Sequence, residues 1–375
     1  MSRRADDEDA ALIRPALAGF AAYEPGKPVE EVQRELGLER VVKLASNEGP
    51  YGPFPAAAEA IARASLELNR YPDGGAYRLR HALAERHDVR FEQVTVCAGA
   101  DAVIGYVSLA TLDPGDEAVT GWPSFPSYVL DPLKQGATSV RVPLRDDRFD
   151  LDAILDGVTE RTKLVFLAVP NNPTGTTNTR SELDAYFERI PEHVLTVLDQ
   201  AYFEYIDDPE YPDAVDEYLK AGRRVLVLRT FSKIYGLAGL RVGYGVGPEE
   251  VVGAINTVRR AFDVTSAGQE AALASLGPTD ELARRRAANR EAMELLGATL
   301  RAHGLEPAGP AVANFLFVEV GQGAPSLNDA LLREGVIVRP LAPFGAPGGL
   351  RITAGTPDEI TFLGAALAAV ASPSR

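Results

Sequence analysis

From about residue 95 to 245 the chain alternates short apolar runs with helical segments, and this alternation decides most of the architecture. The apolar runs fall at 94–98, 117–121, 138–144, 163–169, 194–199, 224–230 and 241–246, with helical patterns at 101–111, 124–134, 150–157 and 181–189. Runs such as Val225-Leu226-Val227-Leu228 are apolar at every position, so both faces of each strand need cover. The pattern predicts an α/β fold whose mainly parallel seven-stranded sheet is flanked by helices. Such sheets bind ligands beyond the carboxyl ends of their strands, so the residues after each run carry the functional information.

Five of these ends are chemically informative. After 163–169 comes Pro170-Asn171-Asn172-Pro173-Thr174-Gly175, which is either a plain turn or a rigid loop holding an amide in place. After 194–199 comes Asp199-Gln200-Ala201-Tyr202. A carboxylate there is costly unless paired or hydrogen-bonded; it reads as a cap or structural ion pair, or as an acid facing a protonated ring nitrogen beside Tyr202. After 94–98, Gly99-Ala100-Asp101 opens a helix whose N–H groups suit a phosphate. Phe125, in Trp122-Pro123-Ser124-Phe125, serves either the core or a stacking surface.

The fifth end leads into Thr230-Phe231-Ser232-Lys233, followed by Gly236, Gly239, Arg241 and Gly243. The glycines permit tight turns and close approach. Lys233 is either a solvated loop lysine or an amine held to condense with a carbonyl, with Thr230, Ser232 and Arg241 serving a phosphate on that partner. Gathered at one rim, a carboxylate, an amide, a phenol, an amine, an arginine and a helix N-terminus meet the requirements of pyridoxal phosphate.

The remainder of the 375-residue chain frames this sheet. Residues 1–45 form an arm packing with a small domain, 46–275 a large cofactor-binding domain, and 276–375 the smaller α/β domain. Within the last, a helix at 279–302 leads to strands at 314–320, 335–339 and 349–353, and Thr356-Pro357-Asp358-Glu359 starts a final helix. The net charge of −15 disfavours nucleic acid and anionic membrane. A single cysteine, Cys97, fits a reducing compartment, and four scattered histidines give no metal-ligand spacing. With no signal-like start and no bilayer-length apolar run, the expectation is a cytoplasmic protein.

The segments NNPTG, DxAY and SKxYGLAGLRxGY resemble the fold-type-I, aspartate-aminotransferase-like superfamily. KLASNEGPYGP, LNRYPD and LRITAGTPDE narrow the resemblance to the histidinol-phosphate aminotransferase family, over nearly the whole chain. The resemblance implies a pyridoxal-phosphate-dependent aminotransferase that takes histidinol phosphate as amino donor and 2-oxoglutarate as 2-oxo acid, by a ping-pong mechanism. It makes Lys233 the Schiff-base lysine and general base, and Asp199 the partner of the pyridine nitrogen. Asn172 and Tyr202 bind the ring oxygen, and Phe125 stacks on the ring. The backbone of Ala100 and Asp101, with Ser232, Arg241 and nearby Thr230, holds the phosphate.

By the same resemblance, Tyr71 of RYPD corresponds to a tyrosine that reaches the neighbouring subunit's phosphate, which implies a homodimer with composite sites. On the substrate side stand Arg351, which suits a carboxylate, together with Arg339, Tyr23 and Asn47. Gly49, Ala102 and Gln200 depart from the family's usual residues. Aromatic amino-acid transamination fits the same motifs, and a decarboxylase of the same fold is a third reading.

Overall fold

The computed structural model describes residues 26–277 and 280–371. Tyr23 lies outside them. The strands are β1 (Val42–Lys43), β2 (Val94–Cys97), β3 (Glu117–Trp122), β4 (Thr138–Pro143), β5 (Thr162–Ala168) and β6 (Leu195–Asp199). They continue as β7 (Val225–Thr230), β8 (Gly243–Val246), β9 (Phe315–Glu319), β10 (Val336–Ile337), β11 (Arg339–Pro340) and β12 (Gly349–Thr353).

The main sheet has the order β2-β8-β7-β6-β5-β3-β4. All its strands run parallel except β8, which is antiparallel to both neighbours. Every residue of β2, β6, β7 and β8 is buried, as continuous apolar strands covered on both faces require. The chain leaves β3 toward β4 on one side and returns to β5 on the other. That reversal opens a crevice at the carboxyl ends, bordered by the helix Ala100–Thr111 and the helix Ser127–Gln135.

A second core lies around the antiparallel sheet β11-β12-β9, built from Leu296, Leu300, Leu316, Val318, Ile352, Ile360 and Leu363 among others. The helix Asp280–Ala302 connects the two cores. The final helix starts as expected, with the Glu359 N–H donating to Thr356 Oγ1 and the Thr356 N–H donating to the Glu359 carboxylate at 2.7 Å.

The run 335–339 is not one strand. Val336 and Ile337 pair in parallel with β1, whereas Arg339 and Pro340 pair antiparallel with β12. One short segment thus serves two sheets, and it joins residues 42–43 to the second core. The alanine-rich helix that opens at Pro55 ends at Ala64 and closes in a tighter turn, Ser65–Glu67. Among the described residues, no helix is long and apolar enough to cross a membrane.

Candidate active site

At the carboxyl ends of the main sheet lies a cavity of about 150 Å³, lined by Ala100, Asp101, Phe125, Asn172, Asp199, Tyr202, Thr230, Ser232, Lys233 and Arg241 with their neighbours. Ten residues singled out from the sequence therefore meet at one place. A wider mouth continues outward to Asn47, Arg339 and Arg351.

Asp199 ends β6 and is buried. Its Oδ2 accepts the Tyr128 hydroxyl at 2.7 Å, and its Oδ1 accepts the Ala201 N–H at 2.9 Å. Burial raises its carboxyl above the ordinary range, opposed by the Tyr128 and Ala201 hydrogen bonds and by the Lys233 charge. Tyr128 gave no signal in the sequence. Its role depends on the helix Ser127–Gln135 lying over β6, 71 residues away in the chain.

Lys233 follows β7 across the same crevice. Its amine reaches the Ser46 carbonyl at 3.5 Å and lies 5.6 Å from the centre of the Tyr202 ring. Burial pushes its pKa down to about 8; Arg351 and Arg241 act in the same direction, while Glu48 and Asp199 oppose. An amine so placed is neutral over a pH range where an ordinary lysine is charged.

The third part is a small anion cradle. Gly99 has φ +93°, and a Cβ there would lie 2.6 Å from Arg241 Nη2. At Gly243 a Cβ would lie 2.2 Å from the Ala100 nitrogen. Both glycines are thus required by close approach. Arg241 itself adopts φ +53°, and its Nη1 donates to Ser232 Oγ at 3.3 Å and to the Ala238 carbonyl at 3.0 Å. Thr230 Oγ1 donates to the Val242 carbonyl and accepts the Ser232 N–H at 3.1 Å. The Asp101 carboxylate accepts the Ser127 hydroxyl at 2.5 Å, so what Asp101 offers an anion is its N–H at the helix N-terminus.

Around the rim, Arg351 Nη1 donates to Asn172 Oδ1 and its Nη2 to the Ala45 carbonyl at 2.7 Å. The first bond orients the Asn172 amide with its NH2 as the remaining donor. Asn47, with φ +53°, donates from Nδ2 to the Tyr202 hydroxyl at 2.8 Å and accepts from Thr353 Oγ1 at 3.1 Å. Asn47 therefore supports Tyr202 as well as lining the mouth. Arg339 is buried and stands opposite Arg351 in the register of β11 and β12. Tyr71 lines neither cavity; it is 83% exposed and stacks on Phe262 at 4.7 Å.

A pyridine aldehyde phosphate fits this arrangement. A buried carboxylate suits the ring nitrogen, an amide and a phenol suit the ring oxygen, a depressed-pKa amine suits the carbonyl, and a glycine-walled cradle suits the phosphate. The comparisons agree. Residues 39–367 match the model of the aminotransferase class I and II family. Histidinol-phosphate aminotransferase of Akkermansia muciniphila is 46% identical over 91% of this chain and 93% of its own length. A Moorella thermoacetica protein of the same name is 42% identical over 94% of this chain and 92% of its own. The crystal structure of histidinol-phosphate aminotransferase from Sinorhizobium meliloti in complex with pyridoxal-5'-phosphate superposes with a TM-score of 0.86 at 28% identity, covering 96% of this chain and 97% of that one. The chain belongs to the class I and II aminotransferase family.

Proposed function

We propose that this pyridoxal-phosphate-dependent aminotransferase takes histidinol phosphate as donor and 2-oxoglutarate as acceptor. The observation that carries the choice is the pairing of Arg339 with Arg351 across β11 and β12, both lining the mouth of the cavity. Histidinol phosphate carries its negative charge on a phosphate and 2-oxoglutarate on carboxylates. Two adjacent guanidinium groups suit each in its half of a ping-pong cycle. The similarity to relatives bearing the histidinol-phosphate name supports the same choice.

When bound, pyridoxal phosphate supplies an electron sink for negative charge developing at the substrate Cα. The protein's own residues do the rest. Lys233 would hold the cofactor and, with its amine released, would serve as the base that moves the proton at the substrate Cα. Its depressed pKa makes the neutral form available for that transfer. Asp199, steadied by Tyr128, keeps the ring nitrogen protonated. Asn172 and Tyr202 would donate to the ring oxygen, Phe125 would stack on the ring, and Ala100, Asp101, Thr230, Ser232 and Arg241 would hold the phosphate.

Tyr71, exposed and absent from the lining of its own cavity, would complete the phosphate site of a second copy. The working unit is thus a homodimer with composite sites, in the cytoplasm, its large domain at 46–275 and its small domain at 276–375 with the arm. Half-reaction kinetics decide the donor: histidinol phosphate should convert the cofactor faster than phenylalanine, tyrosine or aspartate. A rate for phenylalanine equal to that for histidinol phosphate would instead favour aromatic transamination.

A further inference from the structure

Lys233 sits on a loop whose backbone is held from outside the cavity. A Cβ at Gly236 would lie 2.4 Å from the Gly52 carbonyl oxygen, and one at Gly49 would lie 3.2 Å from the Lys233 carbonyl oxygen. The segment 49–52 therefore lies directly on the segment 233–236, backbone against backbone. Two carbonyls at this junction, those of Ile234 and Gly52, need a donor that neither segment supplies.

Arg285 supplies it. This residue of the helix Asp280–Ala302 is 5% exposed. Its Nη1 donates to the Ile234 carbonyl at 2.9 Å and its Nη2 to the Gly52 carbonyl at 2.6 Å. Its Nε donates to Glu281 Oε1 at 2.9 Å, and its guanidinium lies 4.5 Å from the centre of the Phe54 ring. The fork thus ties the residue after Lys233 to the loop that begins with Asn47, the partner of the Tyr202 hydroxyl. The next residue, Arg286, donates to the Glu204 carbonyl at 2.9 Å, in the turn just after Tyr202. The same helix runs on into the second core through Ala292, Leu296 and Leu300.

We propose that Arg285 is a positioning residue for Lys233, its guanidinium locking the Lys233 loop and the Asn47–Phe54 loop into one rigid unit on the helix that joins the two cores. The inference rests on the proposed role of Lys233 as proton carrier. Arg285 lines neither the cavity nor its mouth. Its effect is on where the Lys233 amine stands and how well that amine is shielded from water. Planar, bidentate donation to two carbonyls is something guanidinium does and an ammonium group does only in part.

The test compares wild-type holoenzyme with Arg285→Met, Arg285→Lys and Glu281→Gln, each assayed well below its melting temperature. In Arg285→Met, kcat is expected to fall roughly 10- to 100-fold, the scale at which small misplacements act, with KM for the amino donor changed far less. Amide exchange should rise in both 49–54 and 232–237. The pH titration of the bound cofactor's visible absorption should move, because a loosened loop admits water to Lys233. Arg285→Lys and Glu281→Gln should give smaller losses of the same kind. Folded Arg285→Met with wild-type kcat, titration and exchange would overturn the proposal. If Arg285→Met does not fold, Arg285→Lys decides: a graded kcat loss with a moved titration supports the clamp, and wild-type values for both overturn it. Failure of the functional reading looks different, since wild-type protein would then transaminate no donor at all.

Discussion

Asp199 and Gln200 are consecutive residues at the end of β6, yet they belong to two different buried polar systems. Asp199 lines the cavity and accepts from Tyr128 and Ala201. Gln200 turns to the other side of the sheet. Its Oε1 accepts from Arg229 at 2.9 Å and from the Ala214 N–H, and its Nε2 donates to the Pro212 carbonyl at 2.9 Å and to Tyr211 at 3.2 Å. β7 repeats the split, with Thr230 in the cavity and Arg229 buried behind it. Because side chains alternate along a strand, one pair of strand ends faces both ways. The cavity side turns Asp199 and Lys233 toward the space a ligand would fill, whereas the far side pairs Arg229 with Asp213 and Gln200. Glutamine at 200 fits the latter, since a carboxylate would set an acceptor against the Pro212 carbonyl.

The comparison breaks most simply at Lys233. Lys233→Met should lower transamination by roughly four orders of magnitude, the upper range for loss of a general base, while the protein stays folded. The sign of its pH dependence is fixed. Lys233 has a pKa near 8 when folded and about 10.4 when unfolded. Between those values the unfolded chain binds the extra proton, so cofactor-free wild-type protein gains stability as pH rises through that window. The Met variant should lack that gain and be the more stable protein at pH 7, measured by denaturant melts across pH.

On the far side the expected change is structural. Arg229 is 2% exposed, donates to Asp213 at 3.0 Å, and lies 3.4 Å from the centre of the Phe203 ring. Burial raises the carboxyl of Glu204, with the Arg229 charge opposing. Arg229→Met leaves Asp213 and Glu204 without that cation and should cost about 3–5 kcal/mol of stability. Denaturant melts check the loss, and kcat of the folded fraction at low temperature should stay near wild type. A selective loss of kcat would break the division between the two sides.

Asp199→Asn should reverse that signature. The side chain keeps its shape but only one of its two acceptors, for Tyr128 or for the Ala201 N–H; the charge facing the cavity is gone, and kcat should fall roughly 100- to 1000-fold. The folded carboxyl is raised above its ordinary value, so the native state holds a proton that the unfolded state has released. Its contribution to the stability of cofactor-free protein therefore declines as pH rises from about 4. Asn at 199 should remove that decline, which melts at pH 4 to 7 would reveal.

The parts of this site that could be read from the sequence are those written locally. Strand ends place Asp199, Asn172 and Lys233, because apolar runs and the residues just after them are contiguous. Gly243 signalled close approach but not to what, and Gly99 read only as part of a helix-opening turn. The supports were hidden because they join distant residues: Asn47 to Tyr202 across 155 positions, Tyr128 to Asp199 across 71, and Arg285 to Ile234 across 51. A tyrosine in an amphipathic helix or an arginine near a helix start looks the same whether it meets solvent or a carbonyl. The split of 335–339 between two sheets was hidden for the same reason, since its partners β1 and β12 lie far off in the chain.

Tyr128 gives the smallest and most discriminating change. Tyr128→Phe removes one hydroxyl from a packed ring that stacks on Phe166 at 5.3 Å, so the fold should lose only about 1 kcal/mol. The hydroxyl's hydrogen bond holds the Asp199 carboxyl down against burial. Without it that carboxyl rises further, and the ionised form needed beside a protonated ring nitrogen is lost at a higher pH. The acid limb of the kcat profile should therefore move upward, while kcat at its plateau falls only several-fold. A profile that keeps its limb would mean that Tyr128 merely fills space, and the cavity side would then resemble the far side more than its geometry indicates.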